Sequence, residues 1–274
     1  MLLRPALALL LLTGPAMAQK GLGLMEETPD HLRLYNDCMK LARADPLKAL
    51  PAAEKWHAQG GGFAARHCVA TAMFMAGRYA QAAVQFESIA RDMGQDRPGL
   101  RAELWAQAGQ AFIEAGVATK AIEAQNRAIE LKPTDASLWV DRGLSHAAQR
   151  AWPRAISDFD RALQLSPDDV EVLVLRAASW RNAGNPERAL ADAARALRIA
   201  PDHSEALLER AFANLARGQR GTANVDFSMV LRLVPPGSPA ALRAEAGLRG
   251  ELPHPSEPAL PQAPAGAARG GGKR

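Results

Sequence analysis

SLWVDRGLSHAAQRAWPRAISDFDRALQLSP, residues 137–167, carries the pattern that decides the fold. Pro167 ends it, and Pro133, Pro201 and Pro235 stand at 34-residue steps on either side. Each proline follows a run of one shape: AIEAQNRAIELKP at 121–133, AISDFDRALQLSP at 155–167, ALADAARALRIAP at 189–201 and TANVDFSMVLRLVP at 222–235. Upstream of these lie ELWAQAGQAF (103–112), SLWVDRGLSH (137–146), EVLVLRAASW (171–180) and EALLERAFAN (205–214). Counting each unit from residues 102, 136, 170 and 204 aligns like residues. Position 4 is Trp105, Trp139, Leu173 and Leu207, and position 8 is Gly109, Gly143, Ala177 and Ala211. Position 20 is Ala121, Ala155, Ala189 and Ala223, and position 27 is Ala128, Ala162, Ala196 and Val230. Small residues at 8 and 20 let two helices approach closely. Large ones at 4, 11 and 24 fill the space between them, and proline at 32 stops the second helix.

This register resembles the tetratricopeptide repeat, whose W-x2-L-G-x2-Y…A-x3-F…P pattern it follows. It departs at position 7, which is not Leu, and at position 11, which is His146 in one unit and Asn214 in another. The resemblance implies an all-α fold: a right-handed α-solenoid of about six helical hairpins plus a C-terminal capping helix. Residues 30–62 read as a divergent hairpin, with Asp45-Pro46 as its break and Pro51 delaying or kinking its second helix. Residues 63–94 read as a second hairpin stopped by Gly94, and 95–101 as a linker insertion. Repeats then occupy 102–135, 136–169, 170–203 and 204–237. At 238–249 Ser238 caps a lone helix with Pro239 in its first turn, covering the apolar flank of the last repeat. The Pro/Ala/Gly-rich residues 250–274 are expected to be disordered.

Residues 1–18 have the layout of a secretory signal. A basic start at Met1–Arg4 precedes the apolar run Ala6–Leu12, a Thr13-Gly14-Pro15 break and the small residues of Ala16-Met17-Ala18. Cleavage is expected before Gln19, which leaves 19–29 as an N-terminal segment and places the mature chain in a periplasm or outside the cell. No later stretch is long and apolar enough to span a membrane. The whole chain has 33 basic and 29 acidic residues, a net charge of +4 that is scattered along the sequence and argues against nucleic acid as a partner.

One charge pattern recurs with the repeat. Position 7 is Arg142, Arg176 and Arg210, and position 23 of the same units is Asp158, Asp192 and Asp226. The unit at 102 has Ala108 and Ala124 instead, so the two charges come and go together. Such pairing reads as an ion pair across each hairpin; the competing reading is an Arg ladder that grips an acidic ligand.

Cys38 and Cys68 fall in the first helices of the first two hairpins. In an exported chain an even count on neighbouring helices favours a disulfide, with a loop of about 30 residues worth about 3 kcal/mol. Two free thiols, or a zinc site from Cys38, His57, His67 and Cys68, are the other readings, although the spacing matches no compact zinc knuckle. The sequence contains no H-E-x-x-H, G-x-S-x-G, phosphate loop or C-x-x-C, and its six histidines are scattered. The expectation is a protein that is not an enzyme and needs no cofactor or metal.

The resemblance directs attention to the first helices, whose positions 5, 9 and 12 tend to face the concave side. Here these are Ala106, Val140, Val174 and Leu208; Gln110, Leu144, Ala178 and Phe212; and Ile113, Ala147, Arg181 and Leu215. The Lys, Asn and Arg of the family's carboxylate-clamp type are missing apart from Arg181. A largely apolar groove rimmed by Glu103, Glu114, Glu171 and Glu205 implies capture of a peptide or protein segment. Two features bear on that: the chain's own C-terminal helix could cover Phe212 and Leu215, and the same surface would suit an accessory module for envelope or cell-wall enzymes. A metal- or thiol-dependent function at the Cys38/Cys68 end is the reading from another class.

Overall fold

The computed structural model describes residues 29–252. The signal-like segment, Gln19 and most of the C-terminal tail lie outside them. Among the described residues there are thirteen helices and no strand. Residues up to Leu100 form one compact unit and those from Arg101 onward form another.

The first unit holds α1 (Pro29–Ala44), α2 (Pro46–Ala58), α3 (Gly62–Met75) and α4 (Tyr79–Asp92). The first three helices pack mutually, and α4 packs on α3. Asp45 caps α2, its carboxylate accepting from the Lys48 amide at 3.2 Å. The second helix does not start late: α2 begins at Pro46 and runs through Pro51. The amide missing at Pro51 leaves the Leu47 carbonyl without its helical donor. Pro51 is exposed and the Leu47 side chain is 68% exposed, so this turn faces solvent and the break is tolerated. A disulfide joins Cys38 on α1 to Cys68 on α3, with Cα atoms 6.2 Å apart.

The second unit contains α5 (Pro98–Glu114) from Arg101 onward, α6 (Ala118–Leu131), α7 (Ala136–Ala148), α8 (Trp152–Leu165), α9 (Val170–Asn182), α10 (Pro186–Ile199), α11 (Ser204–Ala216), α12 (Arg220–Leu233) and α13 (Pro239–Arg249). The expected linker at 95–101 is partly helical, because α5 starts at Pro98; proline suits a first helical turn, where its missing amide would have no partner. From α6 on, each helix packs against the next, and α11 also touches α9 and α13, so the first helices stack on one another as in a solenoid.

Local chemistry fixes the period. The second helices end two residues before Pro133, Pro167, Pro201 and Pro235. The next first helix is then capped by a side chain: Asp135 accepts from the Ser137 amide, Asp169 from Val172, His203 from Ala206 and Ser238 from Ala241. From the second hairpin on, position 15, the turn inside the hairpin, is left-handed. Glycine stands there as Gly77, Gly116, Gly184 and Gly218, but Arg150 takes the same place at φ +57°. At the helix crossings Ala121, Ala155, Ala189 and Ala223 are fully buried. A Cβ on Gly143 would lie 2.6 Å from the Phe159 ring, which is why position 8 of that hairpin has none. Among the described residues Phe159, Phe212 and Phe227 are the largest side chains that are fully buried, each worth about 2–3 kcal/mol.

Candidate interaction surface

The recurring charges meet across their hairpins. Arg142 Nε donates to Asp158 Oδ2 at 3.0 Å, and its Nη2 donates to Oδ1 at 2.6 Å. Arg176 makes the same fork to Asp192 at 2.8 and 2.6 Å, and Arg210 to Asp226 at 2.8 and 2.7 Å. These aspartates are almost fully buried, and a fork of this kind uses two of the guanidinium's three nitrogens. Burial would pull the Arg176 pKa down, but the bonds to Asp192 and Asp160 outweigh it and raise it. The sequence did not reveal the bond from the third nitrogen. Arg142 Nη1 donates to Asn126 at 2.8 Å and Arg176 Nη1 to Asp160 at 2.6 Å, so each arginine also ties its hairpin to the preceding one. The equivalent residue before Arg210 is Ala194, which offers no acceptor.

The ten positions proposed as a groove divide into two sets. Ala106, Gln110, Ile113 and Leu144, on α5 and α7, are half-buried and accessible, with Gln110 Nε2 donating to Glu114 at 3.0 Å. Val140, Val174, Ala178, Leu208 and Phe212 are buried, so the expectation that they line an open groove is corrected. The reason is twofold. Position-5 side chains pack between successive first helices, and α13 closes the end of the array.

That closure is ionic as well as apolar. Glu209 on α11 has no exposed surface. Its Oε2 accepts from Arg181 Nε at 2.8 Å, and its Oε1 accepts from Arg181 Nη2 at 3.3 Å and from Arg243 Nη2 at 3.1 Å. Arg243, on α13, also donates from Nη1 to Glu205 at 2.6 Å. Both guanidinia lie over the Phe212 ring, at 5.5 and 5.7 Å from its centre. Burial pulls the Arg243 pKa down, but the charges of Glu209 and Glu205 outweigh it and raise it. Arg181 is therefore engaged inside the chain. Glu209 and Arg243 escaped the sequence reading; the available signal was a glutamate at position 6, where the preceding unit has Leu175.

Other rim carboxylates differ in their surroundings. Burial raises the Glu103 pKa, with Lys132 opposing and Asp135 adding to it. Glu171 pairs with His203 Nε2 at 2.9 Å. In the first unit the Tyr35 hydroxyl lies 3.0 Å from Nδ1 of buried His67. The disulfide occupies both sulfurs, so the alternative zinc set of Cys38, His57, His67 and Cys68 has no thiolate to offer in this oxidised state. Among the described residues no helix is long and apolar enough to cross a membrane.

Paired helices that recur at 34-residue steps, cross at small residues and stack through their first helices define a repeat solenoid. The sequence model of the tetratricopeptide repeat family matches residues 108–179, so this stretch carries that family's repeat. Solved structures share the fold. The C-terminal part of a TPR repeat-containing protein from Cytophaga hutchinsonii is 15% identical, with 78% of this chain and 85% of that one covered at a TM-score of 0.65. A crystal structure of MamA is 17% identical, covering 70% and 97% at 0.55. A MamA fragment, residue 41 to the end, from Desulfovibrio magneticus RS-1 is 16% identical, covering 61% and 92% at 0.55. At such identities the likeness is one of fold. No curated protein sequence matches the chain. The family matched is a repeat family and not a family of enzymes.

Proposed function

We propose that this protein is a non-enzymatic scaffold of the bacterial periplasm that holds a peptide segment of a protein partner on the first-helix face of its second unit. The observation that carries the reading is the accessible stretch of Ala106, Gln110, Ile113 and Leu144, beyond which the same face is closed by the Glu209 cluster. A segment bound there would bury Ile113 and Leu144 and meet the amide of Gln110 and the carboxylate of Glu114. The signal-like start and the Cys38–Cys68 disulfide support an oxidising compartment. Service as an accessory module for envelope enzymes is a specific form of the same role.

The test is crosslinking capture from the envelope of the native host, with residues 19–274 as bait beside an Ile113→Asp/Leu144→Asp variant that retains the parental circular dichroism. Partners held by the parent and lost by the variant are expected. Equal capture by both sinks the assignment of the surface, and no capture by either sinks the scaffold. Mass spectrometry of the host's own protein should find an N-terminus at Gln19 and a mass two hydrogens below that of the dithiol; an intact leader or two alkylatable thiols would place it elsewhere.

A further inference from the structure

The last repeat lacks two side chains that its predecessors use together. Position 11 carries a ring in three units, as Phe112, His146 and Trp180, and position 19 of those units carries a cation, as Lys120, Arg154 and Arg188. In two of them the pair is in contact: Lys120 Nζ lies 5.6 Å from the Phe112 ring centre, and the Arg188 guanidinium lies 4.4 Å from that of Trp180. In the fourth unit the same positions are Asn214 and Thr222. Beside them lies a solvent-open cavity of about 620 Å³, lined by Leu190, Arg210, Asn214, Thr222, Val225 and Asp226.

Its polar groups are short of partners. Asn214 is only 3% exposed, yet its side-chain amide makes no hydrogen bond among the described residues. Arg210 uses Nε and Nη2 on Asp226, but its Nη1 faces no counterpart of the oxygens that Asn126 and Asp160 supply to Arg142 and Arg176. Arg176 shows that an arginine of this ladder accommodates two carboxylates, Asp192 and Asp160. Val225, 63% exposed at the mouth, adds an apolar wall.

We propose that this cavity binds the C-terminal aromatic residue of a partner peptide. The ring takes the place that Phe112 and Trp180 fill in their own hairpins, and the carboxylate accepts from Arg210 Nη1 as Asp160 does from Arg176. The amide of Asn214 and the hydroxyl of Thr222 remain for the peptide's backbone. This site uses α10, α11 and α12 and is independent of the surface on α5 and α7.

The probe is N-acetyl-Gly-Gly-Trp with a free carboxylate, compared with its C-terminal amide and with N-acetyl-Gly-Gly-Ala, each titrated into the isotopically labelled mature chain and followed by amide chemical shifts. Saturable shifts at Asn214, Thr222 and Val225 are expected, about tenfold tighter for the acid than for the amide, and none for the alanine peptide. Asn214→Trp/Thr222→Arg restores what the third repeat has and should abolish binding without lowering the melting temperature. Ala194→Asp gives Arg210 the acceptor that Arg176 enjoys, and should erase the preference for acid over amide while the ring still binds. Absence of saturable binding to the parent overturns the proposal, as does equal binding of the alanine peptide. An acid preference that survives Ala194→Asp overturns the role of Arg210, whether or not the filled variant folds.

Discussion

Glu209→Gln tests whether the buried cluster fastens the end of the solenoid. The side chain keeps its shape, so packing around Phe212 is undisturbed, but it loses its charge and one acceptor. Gln can offer its oxygen at the Oε1 place, keeping the contacts from Arg181 Nη2 and Arg243 Nη2. Its NH2 then faces Arg181 Nε, the 2.8 Å contact, donor against donor. The opposite orientation sets donors against both arginines. Breaking a buried pair by removing one partner costs about 3–5 kcal/mol, and because Arg243 retains Glu205 we place the loss at about 3 kcal/mol. Each unit of a solenoid is held by its neighbours, so the cost falls on the opening of α13 rather than on the whole chain. Native-state hydrogen exchange reads that opening directly, at the amides of buried Ala244 and Gly247. Their exchange should quicken about 100-fold, while amides of α7 change little. Exchange at α13 within threefold of the parent would refute the argument that the cluster, rather than apolar contact, holds the helix down.

Two further outcomes rest on single positions. Arg150→Gly should stabilise the protein: a left-handed residue costs about 1–2 kcal/mol and glycine's extra unfolded-state entropy about 0.5–1 kcal/mol, for a net gain of about 0.5–1 kcal/mol in urea unfolding; a less stable variant would contradict it. His146 is buried, which holds its pKa below the ordinary 6.5 against the pull of Asp158 and with help from Arg142 and Arg154. The fold therefore favours the neutral ring, and its stabilisation is present above pH 6.5 and lost as the pH falls below it. His146→Phe should accordingly gain on the parent in melting temperature between pH 7.5 and pH 5; a constant difference would show that the ring does not titrate with unfolding.

The four aligned repeats were legible because their determinants are local and recur. An alanine at a crossing, a proline after a helix and an aspartate before one each act within a few residues, and 34-residue spacing repeats the test four times. The Arg–Asp pairs were legible for the same reason, since presence and absence vary together between units of one chain. Their third bond was not, because Asn126 and Asp160 belong to the previous hairpin and differ in kind. Pro51 did not delay its helix, because a proline's effect depends on whether the carbonyl it orphans faces water, which a sequence does not state. The candidate surface failed at the end for a comparable reason. Val174, Leu208 and Phe212 have the apolar character of groove residues, but burial of a first-helix face depends on the helix stacked next to it, and α13 is not a repeat. A period predicts what each unit does to the next, whereas the residues that break the period decide where the array stops and where it stays open. Glu209 stands where the preceding unit has Leu175, and Asn214 and Thr222 stand where it has Trp180 and Arg188. Glu209 gathers two arginines from other helices into the core, and Asn214 and Thr222 leave room beside Arg210, so in this chain the departures from the repeat mark its closed end and its second candidate site.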